Sequence, residues 1–169
     1  MQGISTIVND AERGIGFVTN LPADVLILVG GTVALALYGV RLGKYRLVAL
    51  ILSLFPAAIL TPLVAPYLDQ VVSPDLARSV VFLGLALLIH IGLSHIVCCE
   101  FSGGVGAFAE GALFGALAVG TLLSLGFAVG AIDGVHVFSD AVRGYATGFY
   151  SLMWIAGSIA ATIITARRF

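Results

Sequence analysis

Residues 39–48 read GVRLGKYRLV and place three cations within six positions of one another. On both sides of Arg41, Lys44 and Arg46 the chain is apolar for a dozen residues or more. Short cytoplasmic loops of membrane proteins are enriched in Lys and Arg. The stretch therefore predicts two membrane-spanning helices that are joined by a short loop on the cytoplasmic side.

The composition of the whole chain agrees with a bilayer as its surroundings. Of its 169 residues, 60% are hydrophobic and 10% are charged, whereas soluble domains average about 25% charged residues. So few charged side chains cannot cover the surface of a soluble protein of this size, and the lipid bilayer is the expected partner. The net charge of −1 lacks the basic excess of nucleic-acid-binding domains, so no nucleic acid is expected.

Five segments approach or exceed the roughly 20 apolar residues that a spanning helix needs. They cover residues 23–40, 45–62, 78–97, 104–132 and 145–166. We predict an all-α, polytopic helical integral membrane protein in which residues 21–169 form a single transmembrane domain. The alternative is four spans, with the fourth or fifth segment only dipping into the bilayer. Because the fourth segment is so long, we expect it to tilt, bend or protrude.

The first twenty residues follow a different pattern. Their apolar side chains recur at helical spacing, and Asp10, Glu12 and Arg13 stand among them. This mixture is typical of an amphipathic helix that lies on a membrane surface. We predict such an interfacial helix over residues 1–20.

The basic residues favour one orientation of the five spans. With the N-terminus outside, five cations fall on the cytoplasmic side, and Arg13, Arg78 and Arg143 fall outside. Each outside cation has an acid close to it in sequence, whereas the inside cations have none. This excess predicts an outside N-terminus and an inside C-terminus. The residues expected to set the topology are Arg41, Lys44, Arg46, Arg167 and Arg168.

Ionisable side chains inside a span are costly and therefore mark candidate functional sites. Glu110 lies near the inner end of span four, and Thr121 and Ser124 follow within about 40° of its direction around the helix. With His90 and His95 of span three, they are the candidates for a polar pathway that would relay protons or line an ion path. In the alternative, Glu110 is hydrated or paired with the cations of the first loop, and the histidines bond to neighbouring helices.

The same region holds residue types that bind metal or haem. His90 and His95 lie about 140° apart around a helix, so they cannot bind one ion from the same helix face. His95, Cys99 and Glu100 are close enough in sequence to share a metal, but no second cluster of ligands accompanies them. We expect no metal and no cofactor. Because Cys98 and Cys99 are adjacent, no disulfide framework is predicted either.

The sequence contains no motif of catalysis or phosphate binding. A Walker loop, a G-x-S-x-G and an H-E-x-x-H are all absent from it. The glycine-rich stretch GGVGAF follows no predicted strand and indicates a loose helix start. Asp24 follows Pro22 closely and is expected to cap span one. We therefore expect no enzymatic activity.

Glycine is frequent, at 21 of 169 residues, and several glycines lie four positions apart. Small residues at this spacing let the backbones of membrane helices approach closely. Gly120 lies on the far side of span four from Gly111 and Gly115, so this span can meet one neighbour within the chain and one beyond it. We predict a homo-oligomer held together by spans four or five. The predicted packing glycines are Gly111, Gly115, Gly126, Gly130, Gly144 and Gly148.

Three segments together resemble the colicin V production (CvpA-like) membrane proteins. They are ADVLILVGGTVALALYGVRLGKYRLVALILS at 23–53, LVAPYLDQ at 63–70 and VGAFAEGALFGALAVGTLL at 105–123. The positions that match the family's pattern are Asp24, Gly39, Arg41, Gly43, Arg46, Ser53, Glu110, Gly111 and Gly115. The resemblance covers roughly residues 22–130. That family usually has about four spans, so the predicted fifth span and the amphipathic leader depart from its pattern.

The resemblance implies a small multi-pass protein of the bacterial cytoplasmic (inner) membrane. Its implied role is a non-enzymatic accessory or scaffold in toxin export or envelope maintenance. Two other functions remain open from the residues: an oligomeric ion or proton channel subunit that uses Glu110, and a structural protein that packs into an extended membrane array. The scaffold and the channel subunit differ in whether Glu110, Thr121 and Ser124 face water or another helix.

Overall fold

The structure is a computed structural model that describes residues 22–69, 71–96, 105–133 and 135–166. Side chains at positions 44, 96, 105–108 and 166 are outside this description. The predicted amphipathic helix over residues 1–20 lies outside the described residues. So do the two adjacent cysteines and two of the predicted topology-setting residues, Arg167 and Arg168.

Six helices make up the described part of the chain, and no strand occurs in it. In chain order they are α1 (Ala23–Leu42), α2 (Lys44–Leu68), α3 (Pro74–Ile96), α4 (Val105–Ala128), α5 (Asp140–Ala146) and α6 (Gly148–Ala166). All except the short α5 are long and apolar enough to cross a membrane. The prediction of an all-α, polytopic membrane protein is therefore confirmed, with five helices of spanning length.

Helix α2 continues past its predicted end at residue 62. Pro56, Pro62 and Pro66 all lie inside the helix, which ends at Leu68, although each proline removes one backbone hydrogen bond. Proline is tolerated inside membrane helices that pack against neighbours, and α2 packs on both α3 and α4. The prolines therefore do not end this helix.

Helix α4, in contrast, ends before its predicted limit at residue 132. Gly130 has a φ of 68°, a left-handed conformation that glycine adopts without steric cost. The N–H of Ala131 donates to the carbonyl oxygen of Gly126 at 2.8 Å, and the N–H of Gly130 donates to that of Phe127 at 3.1 Å. This pair of bonds is the Schellman motif, which terminates helices. Gly130 therefore ends α4 and does not form the predicted helix-packing pair with Gly126.

The predicted fifth span is divided in two. Residues 140–146 form the separate helix α5, and the spanning helix α6 begins at Gly148, which has a φ of 61°. Gly144 and Gly148 consequently lie in different helices, and no atom lies within 4 Å of a Cβ added at either position. Within the described part of the chain, this pair makes no helix–helix contact of the predicted kind.

Helix α4 lies at the centre of the bundle. It packs against α1, α2 and α6, whereas α3 packs mainly on α2, and α5 packs against both α4 and α6. Three clusters of buried apolar side chains hold these helices together. Their main members are Leu47, Ile51 and Phe114 between α2 and α4, Leu54 and Phe82 between α2 and α3, and Leu123, Ile132 and Phe138 at one end of the bundle.

Helices α1 and α4 approach each other most closely at two of the predicted packing glycines. A Cβ atom on Gly111 would lie 3.0 Å from the carbonyl oxygen of Ala36, and one on Gly115 would lie 2.9 Å from that of Thr32. The neighbouring atoms belong to the backbone, so they cannot rotate away. This glycine pair therefore packs within the chain.

Gly120 lies on the other side of α4 and also has its neighbour within the chain. A Cβ atom there would collide with the indole ring of Trp154 of α6. Both glycine faces of α4 thus have a neighbour within the chain, α1 on one side and Trp154 on the other. The homo-oligomer held by spans four or five stays a prediction.

Replacing Gly115 with Leu should push α1 away from α4. Overpacking of a tight contact costs about 1–3 kcal/mol, and the immobile backbone of Thr32 places Gly115→Leu toward the upper end of that range. Gly84→Leu is the matched control, because no atom lies within 4 Å of a Cβ at Gly84, and it should change the unfolding free energy by only about 0.5 kcal/mol. Unfolding in mixed micelles measures both variants, and equal stability of the two would contradict the close contact.

Candidate functional site

The two ends of the bundle differ in charge. One end carries the aspartates of the described chain and is called the aspartate end: Asp24, Asp69, Asp75, Asp133 and Asp140. The other end is called the arginine end, because Arg41 lies in the last turn of α1 and Arg46 in the first turns of α2. Lys44 begins α2 at the arginine end. These predicted topology-setting residues therefore share one end of the bundle.

Asp24 is the most connected polar side chain of the aspartate end. It is buried in the first turn of α1, and its Oδ1 lies 2.8 Å from Nε2 of His136. Its Oδ2 accepts the backbone N–H of Ser139 at 2.7 Å. Asp24 does not cap α1, because the N-cap position is Pro22. It fastens the loop between α4 and α5 to the start of α1 instead.

Further contacts hold the same loop in place. The ring of His136 meets the ring of Phe138 edge to face, with 4.7 Å between their centroids, and Phe138 meets Phe127 of α4 in the same way. Arg143 of α5 pairs with Asp133 at 2.5 Å, and its guanidinium lies over the Phe127 ring. The loop is thus bound to α1, α4 and α5 at once.

Helix α3 joins this network through one hydroxyl. Ser79 is buried, and its Oγ donates to the carbonyl oxygen of Ala131, just beyond the end of α4. A buried carbonyl without a donor is costly in an apolar medium. Ser79 therefore supplies a hydrogen-bond donor to the carbonyl oxygen of Ala131, which lies beyond the helical hydrogen bonds of α4.

The predicted polar pathway is not continuous. Thr121 lies 2.6 Å from Oγ of Ser158 of α6, so its hydroxyl joins two helices. Ser124 is buried with no hydrogen-bond partner among the described residues. Glu110 is eleven residues from Thr121, about 16 Å along the helix axis. The structure does not bring Glu110 together with the two hydroxyls.

Glu110 lies instead at a groove between α4 and α6. This groove has a volume of about 410 Å³. Apart from Glu110 and Thr165, its lining is apolar: Leu113, Phe114, Leu117, Gly157, Ala160, Ala161 and Ile164. Glu110 itself is half-buried. The carboxylate thus borders an apolar groove near the arginine end.

The two histidines of the predicted pathway are also apart. His90 is buried, and its Nε2 lies 2.8 Å from the hydroxyl of Tyr38 of α1. This is the interhelical bond of the alternative reading. His95 is exposed in the last turn of α3. In the described ranges, no three His, Cys, Asp or Glu side chains are grouped so that they could hold a metal ion.

A smaller apolar cleft lies at the other end of α6, toward the aspartate end. It has a volume of about 180 Å³ and is lined by residues of α1, α4, α5 and α6, among them Gly120, Tyr145 and Trp154. The indole N–H of Trp154 donates to the carbonyl oxygen of Tyr145 at 3.0 Å. This bond and the space above Gly120 fix the ring at one wall of the cleft.

Comparison with known proteins gives no assignment. No protein-family model matches the sequence, and no curated protein and no solved structure matches it significantly.

Several residues of these networks are missed by sequence reasoning. Asp24 is recognised only as a helix cap, and Ser158 and Tyr38 are read as parts of apolar spans. His136 carries the available signal, because its sequence neighbours Val135 and Val137 are apolar and offer its ring no hydrogen-bond partner. The predicted topology places Asp24, at the start of α1, on the same side of the membrane as His136.

The Asp24–His136 contact should contribute measurably to stability. A hydrogen bond to a charged group is worth about 1.5–3 kcal/mol, and His136 is partly exposed, so we expect a coupling energy of about 1–2 kcal/mol. A double-mutant cycle with Asp24→Ala and His136→Ala measures it.

Asp69→Ala is the matched control for this cycle. Asp69 is exposed at the end of α2 and makes no side-chain hydrogen bond to the described residues. Its replacement should be additive with His136→Ala. Additivity of Asp24→Ala with His136→Ala would contradict the fastening role of Asp24.

Proposed function

We propose that this chain is a non-enzymatic, CvpA-like protein of the bacterial inner membrane. Its role would be that of an accessory or scaffold subunit in toxin export or envelope maintenance. The observation that carries the proposal is the use of intramembrane polar side chains between helices. Thr121 bonds to Ser158, and Tyr38 bonds to His90. Polar groups used in this way stabilise the bundle, and its apolar outer surface is left for lateral contacts.

Helix α6 offers the surface best suited to such contacts. Most of its side chains are exposed, including Ala156 and Ala160, which lie four residues apart. Small residues at this spacing permit close approach of another membrane helix. We propose that self-association uses this face, since the glycine faces of α4 are already filled within the chain. If successive copies joined through this face do not close into a ring, the same contact produces an extended array.

A conductor built around Glu110 is the second candidate. It is favoured by the half-buried position of Glu110 at an open groove. It is disfavoured by the apolar lining between Glu110 and Thr121, because an ion path through lipid-like surroundings needs polar groups along its length. The scaffold reading requires no such path.

A complementation experiment distinguishes the two candidates. Deletion of the gene should impair export or the envelope barrier, and Glu110→Gln should restore both if the protein is a scaffold. Ala156→Leu should fail, because it thickens the exposed face of α6 at a position outside the Glu110 groove, whereas Gly84→Leu on the open side of α3 should succeed. Failure of Glu110→Gln, together with proton flux that only the wild type carries in liposomes, would instead establish the conductor.

Orientation in the inner membrane is open to a direct test. A cysteine at Lys44 should be protected from an impermeant thiol reagent in intact cells, and one at Asp75 or Asp133 should react, because the arginine end is proposed to be cytoplasmic. Replacing Cys98 and Cys99 by Ser beforehand removes the native thiols. Labelling of Lys44→Cys from outside would reverse the proposed orientation.

A further inference from the structure

An open groove runs along one face of α1 at the arginine end. It has a volume of about 600 Å³ and is lined by Ala34, Leu37, Tyr38, Arg41 and Leu42. Residues three, four and seven positions apart share one face of a helix, so these side chains form one strip that runs from apolar to basic.

The basic end of the strip is available to a ligand. Arg41 is exposed, and its guanidinium forms no hydrogen bond or ion pair with the described residues. The aspartates of the described chain lie at the opposite end of the bundle. Glu110, which lies near the arginine end, lines the groove between α4 and α6 and is not among the residues that line this one. The groove therefore presents a positive charge that its surroundings, as far as the structure describes them, do not neutralise.

The middle of the strip is fixed by a bond to another helix. The Tyr38 hydroxyl lies 2.8 Å from Nε2 of the buried His90 of α3. Helix α3 packs mainly on α2, whereas α1 packs mainly on α4. The Tyr38–His90 contact thus holds a phenol at a set position one turn below Arg41, on the face that borders the groove.

The lower part of the strip is apolar. Ala34 and Leu37 are exposed, and Val33 beside them is exposed as well. In a chain that spans a bilayer, this surface is in contact with hydrocarbon. A ligand of the groove therefore has an anionic group at the height of Arg41 and an apolar chain that extends toward the bilayer centre.

We propose that this groove binds one anionic phospholipid, with its phosphate at Arg41 and an acyl chain along Ala34 and Leu37. Charge complementarity selects an anionic over a zwitterionic headgroup, because a basic residue near the membrane surface attracts anionic lipid. The apolar strip selects a lipid over free phosphate, which would gain nothing from it. The site is independent of the scaffold and conductor roles.

Native mass spectrometry of the full-length protein, in mild detergent, tests the site. Phosphatidylglycerol and phosphatidylcholine are titrated separately, and the dissociation constant of the first bound lipid is measured. The wild type should bind phosphatidylglycerol about fivefold more tightly, the effect of one cation near an anionic group. Arg41→Gln should bring the ratio close to one. Equal binding of the two lipids by the wild type would overturn the proposal.

Arg78→Gln is the matched charge control. Arg78 is exposed at the aspartate end and lines a different groove with Pro62, Pro66 and Asp69. It removes the same charge from the protein and should keep the fivefold ratio. Loss of the ratio in Arg78→Gln would show that overall charge, not the groove, selects the lipid, and would overturn the site.

A second pair of variants tests the apolar strip with Arg41 intact. Ala34→Trp fills the groove and should abolish the preference, whereas Val80→Trp on the exposed face of α3 should leave it unchanged. Tight binding of phosphatidylglycerol by Ala34→Trp would mean that charge alone recruits the headgroup. Displacement of the lipid by inorganic phosphate would mean that the site recognises phosphate alone. Either result would overturn the bound phospholipid.

Discussion

The close approach of α1 to α4 is the contact on which the rest of the bundle depends. In a bilayer, the apolar side chains of α1 are as well surrounded by lipid as by protein, so burial gives little net drive for association. Short-range dispersion between backbones must supply it. Gly111 and Gly115 permit this approach, since any Cβ would meet the backbone of Ala36 or Thr32. Without it, most of α1 would have only lipid as a neighbour.

The position of α1 in turn places one charged residue at each end of the bundle. Asp24 lies in its first turn and Arg41 in its last, which is also the arrangement that the helix dipole favours. At the aspartate end, the carboxylate of Asp24 is already bonded within the chain, because it accepts a hydrogen bond from the backbone N–H of Ser139 and contacts His136. At the other end the guanidinium remains available. Helix α1 thus binds the α4–α5 loop at one end and exposes the guanidinium of Arg41 at the other.

The spans were readable from the sequence because they depend on composition over about twenty residues, which a bilayer constrains strongly. Their ends were less readable. Proline ends a helix in water more often than in a packed membrane bundle, so Pro62 wrongly predicts the end of α2. The spacing of Gly130 predicts a packing residue, because spacing alone does not reveal a positive φ. Gly111 and Gly115 have the same spacing as Gly126 and Gly130, and only their position in the helix separates the two pairs.

The polar residues show a similar division. A carboxylate inside an apolar segment is conspicuous in sequence, so Glu110 is an evident candidate. Asp24 is conspicuous too, but its partners lie 112 and 115 residues away, and nothing local in the sequence connects them. Thr121 and Ser124 share a helix face by spacing, yet Ser158 bonds only to the first of them. Which hydroxyl is used depends on the register of α6 against α4. The packing of the Trp154 ring on Gly120 and the bond from its indole N–H to Tyr145 both favour the observed register.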